Sequence, residues 1–385
     1  MRILYIGSDD IFTRHELGFI AALSAISNIE VVHLATKIGV EQIKIGSDNG
    51  TWRIILYHVP CKSILHINSC KEPIKRVIDL EEYDVVFTTP RLPMVIAKLL
   101  SRDQTLILRL WSIRAAKLKD NLSFGAYEDI PLHVPSILAN FSYILLSSYA
   151  IATDHHTYTY ARKIYTILAN KLIKSYPPYG FFAEEYNQYE GAIDNRTLEM
   201  IDHGEYVLSF TILGKKGPYL RFEAKPHAEI LYTLAKKLDL PVIIAGSTYE
   251  EWKQVFPNIR LPKSLHIIGK GFRDNFIAKL YEKARLIIVP ITNRSVSNRL
   301  LEALFYGKPI ITTETVRSLY PELTHGEHVY ISTWKNIPSA ALKLVRNDQI
   351  LEMLRKGAKQ AYVSFFSAYR NTKTIKRLLY KVSMK

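Results

Sequence analysis

The chain is short of cysteine, of acid relative to base, and of long apolar runs, and each shortage removes a class of protein. Two cysteines in 385 residues, Cys61 and Cys70, stand nine apart without a metal-ligand pattern and receive no functional role. The longest apolar run, near Tyr143 to Ala152, is broken by Ser147 and Ser148 and is too short to span a bilayer. Met1-Arg2-Ile3-Leu4-Tyr5-Ile6-Gly7 opens directly on a strand pattern, with no apolar signal region or cleavage site, so secretion and organelle import are not supported. The expected location is cytoplasmic, either free or peripheral at the membrane face. No Gly-x-Gly-x-x-Gly follows the first strand, where Gly7-Ser8-Asp9-Asp10 stands, which argues against a nicotinamide or flavin enzyme. Asp154-His155-His156 lacks a third ligand at a supporting spacing, so no metal is expected.

What is present is base. Lys and Arg number 51 against 36 acids, a formal net charge of +15. Such a balance attracts phosphates, whether of nucleotide donors, anionic lipids or nucleic acid, and does not by itself choose among them. No dense Lys/Arg block interleaved with stacking aromatics occurs, so nucleic acid is not expected as a partner. A generally basic surface is the plain alternative. With 48% apolar and 23% charged residues, the chain has a globular balance and too much length for one core. Two domains are expected.

Strand-like and helix-period stretches alternate through the first half: Ile3 to Ile6, His15 to Ile26, Val31 to Ala35, Asp84 to Thr88, Leu92 to Leu100, Leu106 to Leu110, then Tyr143 to Ser148 as a buried strand. A second series starts at Tyr206-Val207-Leu208-Ser209-Phe210. It continues through a helix over Pro226 to Leu238 and strands at Val242 to Gly246, Leu265 to Gly269 and Leu286 to Pro290. The fold class is α/β, with two doubly wound Rossmann-like halves. Residues 1–180 form the first, 181–205 a linker marked by Tyr176-Pro177-Pro178-Tyr179-Gly180 and a polar stretch, and 206–360 the second. Residues 361–385, part of an amphipathic basic segment, read either as a helix packed back on the first half or as one lying on a membrane.

Ser297 to Ile310 is the most telling stretch. It joins a polar loop to a short amphipathic helix bearing one carboxylate, Glu302, and then to a buried strand. In a β-loop-α-β unit the loop and helix N-terminus lie at the carboxyl ends of the strands, where open α/β sheets bind ligands and helix dipoles favour anions.

The order of these signals resembles the retaining, nucleotide-sugar-dependent glycosyltransferases of the GT-B fold, family 4, over nearly the whole chain. Tyr83-Asp84-Val85-Val86 is similar to that family's Asp-Val-Val strand, and Lys174 to Phe182 to its crossover into the second domain. Phe210-Thr211-Ile212-Leu213-Gly214-Lys215-Lys216-Gly217 resembles its Gly-Arg-four-any-Lys-Gly loop. Ile267 to Phe272, Leu280 to Ala284 and the Glu302 stretch follow in the family's order.

The resemblance implies two Rossmann-like domains facing a cleft, with domain closure around the donor and a C-terminal helix crossing back to the first domain. Lys216, with Lys215, would bind the donor diphosphate, and Glu302 the two ribose hydroxyls. Gly271 and Phe272 would hold the base, and loop amides at Ser297 and Asn298 would meet the diphosphate. Gly7, Asp9, Asp10 and His15 would stand on the acceptor side, where Asp9, Asp10 and His15 are candidates for a general base. Helix capping by Asp10 or Thr13 is the plain reading there. Likewise Glu302 reads alternatively as a surface acid and Lys216 as a solvated turn lysine.

Departures from the family pattern are specific. Arg294 stands where the first carboxylate of Glu-seven-any-Glu is expected, and Thr211 where the phosphate-loop arginine is. The histidine expected near Trp111 is absent, with Arg109 and Arg114 close by. Arg294 and Arg299 are read as supplying the missing positive charge, which makes Arg294 a further catalytic candidate. The absence of Asp-x-Asp argues against a metal-bridged diphosphate, so no cofactor or metal is expected. The partners implied are a nucleotide diphosphate sugar and a glycan or lipid-linked acceptor. A non-catalytic, glycosyltransferase-like binding protein is the rival reading.

Overall fold

The computed structural model describes residues 1–8, 14–36, 38–47, 50–61, 67–113, 115, 118–119, 122, 130–178, 182–183, 195–214, 219–270, 274–292 and 296–384. Two compact units emerge, Met1–Tyr186 with Arg294–Val296 and Phe366–Lys385, and Asn187–Asn293 with Ser297–Phe365.

The first unit opens with β1 (Arg2–Gly7), α1 (Arg14–Ser24), β2 (Asn28–Ala35), the hairpin β3 (Gly39–Ser47) and β4 (Gly50–Pro60), and α2 (Ile67–Val77). There follow β5 (Val85–Thr88), α3 (Leu92–Leu100), β6 (Thr105–Leu110), α4 (Ile130–Leu146), β7 (Tyr149–Ala152), α5 (His155–Ile164), β8 (Leu172–Lys174) and β9 (Phe182–Ala183). The nine strands form one sheet in the order β8-β7-β6-β5-β1-β2-β4-β3-β9. Strands β8 through β4 in that order pair in parallel, and β3 runs antiparallel to both its neighbours. Both faces are covered, which is why these strands read as unbroken apolar runs. Leu4, Ile6, Val86 and Leu108 pack on one side. Ile3, Tyr5, Phe87 and Ile107 pack on the other.

In the second unit, α6 (Asn195–His203) precedes β10 (Tyr206–Phe210), α7 (Lys225–Ala235), β11 (Val242–Ala245), α8 (Tyr249–Val255) and β12 (Leu265–Ile267). Then come α9 (Asp274–Lys283), β13 (Ala284–Val289), α10 (Asn298–Phe305), β14 (Ile310–Thr313), α11 (Val316–Leu319), β15 (Tyr330–Ser332), α12 (Ile337–Val345) and α13 (Asp348–Ala361). Six parallel strands are ordered β12-β11-β10-β13-β14-β15. The chain works outward from β10 in one direction, then restarts beside it with β13, so the topological switch point lies between these two strands. The last helix, α14 (Ala368–Ser383), belongs to the first unit, where Ile375, Leu378 and Leu379 join the core beneath α1.

Three sequence expectations are corrected. Tyr143 to Ser148 is not a strand: its first four residues close α4, and the strand is the next segment, Tyr149–Ala152, in register with β6 through Ile107 and Tyr149. A short apolar run has no period of its own to separate helix from strand, and the residues before it decide. The polar stretch assigned to the linker contains α6. Cys61 and Cys70, given no role, form a disulfide between the end of β4 and α2, both buried. Among the described residues, no helix is long and apolar enough to cross a membrane.

Candidate functional site

A pocket of about 290 Å³ opens in the second unit at the carboxyl end of β10, beside β11 and β13, on the switch point. Phe210, Gly246 and Pro290 line it from the strand ends, and Ser297 and Arg299 from the start of α10. Gly246 is needed there. Its φ is +93°, and a Cβ would come within 2.8 Å of the Thr211 carbonyl oxygen, so the ends of β10 and β11 approach as closely as backbone can.

Helix α10 starts at Ser297, whose hydroxyl accepts from the Leu300 amide. The apolar residues of the helix face the core, and Glu302 goes in with them: its side chain is 1% exposed, against 38% for Arg299. Burial of a carboxylate demands donors, and two converge on Oε2, the Tyr281 hydroxyl at 2.6 Å and Arg299 Nη1 at 2.8 Å. Tyr281 is itself fixed between the rings of Phe210 and Tyr306, with centroids 5.3 and 5.1 Å away. The Arg299 guanidinium lies over the Phe210 ring, 4.2 Å from its centroid. The group that lines the pocket is thus the guanidinium, with Glu302 behind it as its counter-ion.

Other sequence candidates fall as follows. Thr211 is buried below the pocket: its amide donates to the Ala245 carbonyl and its carbonyl accepts from Ser247 Oγ, while Ile212 lines the pocket instead. Oγ1 of Thr211 has no hydrogen-bond partner among the described residues. The Ser297 amide, expected to meet a diphosphate, donates to the Tyr320 hydroxyl at 2.9 Å, so an anion there would replace that bond. Asn298 is the first residue of α10. Lys215, Lys216, Gly271, Phe272 and Arg294 lie outside the described residues, as do Asp9 and Asp10. Gly214, just before the two lysines, is clamped to α8: a Cβ would lie 2.0 Å from Glu251 Oε1. Glu251 completes a capping box with Thr248 and accepts from Lys270 Nζ at 2.6 Å, which brings a second cation to the pocket lining.

His227, buried in the pocket lining, has its pKa pushed down to about 3 by that burial. Ser209 Oγ donates to the Ile288 carbonyl, so the 2.8 Å contact to His227 Nε2 requires the imidazole to be the donor and fixes the proton on Nε2. The sign of the linkage follows. Between about pH 6.5 and pH 3 the unfolded chain binds a proton here that the folded chain does not, so this residue makes stability fall as pH drops through that window. Replacing His227 by Gln is expected to flatten the melting temperature against pH over that range relative to wild type. Thermal melts at pH 7, 5 and 4 for both proteins measure the difference.

In the first unit, Gly7 ends β1 in a buried position and His15 sits in the first turn of α1. The next residue carries the chemistry. Glu16 and Arg109 are both completely buried, with Arg109 Nε 3.1 Å from Glu16 Oε1. Trp111 Nε1 donates to the same oxygen at 2.7 Å and the Tyr5 hydroxyl to Oε2 at 2.7 Å. The guanidinium carbon lies 3.7 Å from the Phe19 ring centroid. Arg109 Nη1 and Nη2 have no hydrogen-bond partner among the described residues. The sequence held a signal for this pair, a lone arginine inside the apolar strand Thr-Leu-Ile-Leu-Arg-Leu and a lone acid in an apolar helix. Among the described residues, no group of three or more His, Cys, Asp or Glu could hold a metal.

Residues 222–347 match the family model described as glycosyl transferases, group 1. The whole chain superposes on solved structures at low identity. Sucrose-phosphate synthase from Thermosynechococcus elongatus matches with TM-score 0.72 at 12% identity, covering 100% of this chain and 99% of that one. Anabaena Alr3699/HepE, solved with UDP-glucose, matches with TM-score 0.68 at 14% identity, covering 99% and 100%. WaaG, a glycosyltransferase involved in lipopolysaccharide biosynthesis, matches with TM-score 0.65 at 12% identity, covering 98% and 99%. No curated protein matches the sequence. The fold is GT-B, as the family resemblance implied.

Proposed function

We propose that this GT-B fold glycosyltransferase moves a sugar from a nucleotide diphosphate sugar to a hydroxyl of a glycan, lipid-linked or otherwise, with the anomeric configuration kept. The observation that carries the reading is the pocket at the switch point of the second unit, lined by Arg299 at the start of α10 and by Lys270 after β12. A cation at a helix N-terminus and a second cation lining the same pocket suit a diphosphate. Alr3699/HepE was solved with UDP and with UDP-glucose, so uridine diphosphate sugars head the donor panel.

In the transfer, the bond from the anomeric carbon to the diphosphate oxygen breaks and its electron pair leaves with the diphosphate. The acceptor oxygen bonds to the same carbon from the same face, and its proton passes to the departing phosphate oxygen. This step needs no enzyme nucleophile. It needs orientation and positive charge held in place where the leaving group becomes more negative, which Arg299 and Lys270 supply, with Lys215, Lys216 and Arg294 as the further cations of the proposal. No metal takes part in it.

The acceptor side is proposed to work at an anionic membrane face. Helix α14 presents Tyr369, Lys373, Lys376 and Tyr380 along one exposed stripe and contains no acid. Co-sedimentation with phosphatidylglycerol vesicles, and its loss at high salt, is the expected result. Indifference to these vesicles at low salt counts against it.

Incubation with uridine, guanosine and adenosine diphosphate sugars, followed by release of the nucleoside diphosphate, tests the main reading. Turnover of at least one donor is expected. Nucleotides that raise the melting temperature while no sugar is transferred or hydrolysed would favour a binding protein instead.

A further inference from the structure

We infer that Glu223 is the carboxylate that reads a vicinal hydroxyl pair of the donor, an assignment that rests on the nucleotide-sugar reading of the pocket. Glu223 is the one acid among the described residues that line this space. It comes from a π-turn, Leu220–Ala224, that runs directly into α7, with the Lys225 amide bonded five residues back to the Leu220 carbonyl. Turns of this width are rare and are frequently found at functional sites, because they cost hydrogen-bond geometry that a plain helix keeps. The next residue, Ala224, and Ala228 about a turn further along are buried in the core, while Glu223 lines the pocket.

The carboxylate is held in place. Oε2 accepts the hydroxyl of Thr292, which follows the end of β13, so the acid is tied across from one wall of the pocket to another. Its charge is felt nearby: burial, then the negative charge of Glu223, pushes the Tyr219 phenol up to about 12. A carboxylate facing a diphosphate would be repelled. Facing neutral hydroxyls, it offers two acceptor oxygens spaced to take two O–H donors on adjacent carbons. The same pocket therefore contains a cationic part, Arg299 and Lys270, suited to the phosphates, and an acidic part suited to a polyol. The sequence also carries Arg294 where the resembling family has its first carboxylate, and Glu223 supplies an acid to the same pocket from a different element.

Both the ribose and the transferred sugar offer vicinal hydroxyls, and the test separates them. Dissociation constants are measured by titration calorimetry for wild type and Glu223→Gln. The ligands are uridine, guanosine and adenosine diphosphates, their 2′-deoxy forms and their glucose esters. In the series that wild type prefers, Glu223→Gln is expected to lose about tenfold or more toward the glucose ester. If the pair read is the sugar's, affinity for the plain diphosphate stays at the wild-type value. If it is the ribose's, the plain diphosphate weakens in parallel while the 2′-deoxy form binds both proteins alike. Wild-type affinity of Glu223→Gln for all ligands overturns the inference and leaves the function standing, as does an equal loss for all of them, 2′-deoxy forms included. No nucleotide bound by folded wild type overturns both. Glu223→Asp, which keeps the charge and withdraws it by one methylene, carries the same comparison if the glutamine variant melts early.

Discussion

Arg299→Ala is expected to lower sugar transfer by about 10²–10³-fold, the loss typical when one preorganised donor to a developing negative charge is removed. The guanidinium is held by the Phe210 ring on one side and Glu302 Oε2 on the other. It is therefore already oriented when the diphosphate begins to leave. Arg299→Lys keeps the charge but neither the planar stacking nor the fork, so it is expected to recover only part of the rate. The variants also report on Glu302. With Arg299 gone, a nearly fully buried carboxylate keeps the Tyr281 hydroxyl but loses its countercharge, so the unliganded protein should melt earlier. A steady-state rate with the preferred donor and a melting curve without donor separate the two effects. A normal rate in Arg299→Ala would remove the guanidinium from the mechanism.

Glu16→Ala is expected to destabilise the first unit by about 3–5 kcal/mol, because it strands a fully buried arginine. For a unit of this size that amounts to a fall of about 6–20 °C in melting temperature. The carboxylate answers three donors at once, Arg109 Nε, Trp111 Nε1 and the Tyr5 hydroxyl, so its loss removes one acceptor from each of the three. Arg109→Met is expected to be costly for the mirror reason, with Glu16 left charged and buried. The pair in combination, Glu16→Leu with Arg109→Met, should cost less than the sum of the single changes, since neither charge then remains to be solvated. Thermal melts of the three variants give the coupling directly, and additive losses would mean that the ion pair does not act as a unit.

The legible parts of the sequence were those whose signal is local. Parallel strands buried on both faces leave continuous apolar runs, as in Ala284–Val289 and Ile310–Thr313, and such runs announce the sheet. The helix bearing Glu302 showed itself by one acid among leucines and by its place between two such strands. Illegible were the contacts made at long range. Glu16 and Arg109 are 93 residues apart, and only the order β6-β5-β1 brings β6 near the helix that follows β1. Tyr281, which holds Glu302, and Tyr320, which takes the Ser297 amide, come from separate elements, and nothing in a tyrosine's neighbours tells which partner its hydroxyl will meet. The strand assigned to Tyr143–Ser148 failed because a helix with no charges, α4, looks like buried strand at its end. Likewise the π-turn at Leu220–Ala224 has no periodicity that distinguishes it from the first turn of α7.

The most direct test is a crystal structure of the protein soaked with the nucleotide diphosphate that it binds best. The diphosphate is expected in the pocket lined by Arg299, at the start of α10, and by Lys270, after β12. A nucleotide bound elsewhere on the protein, with this pocket empty, would contradict the account.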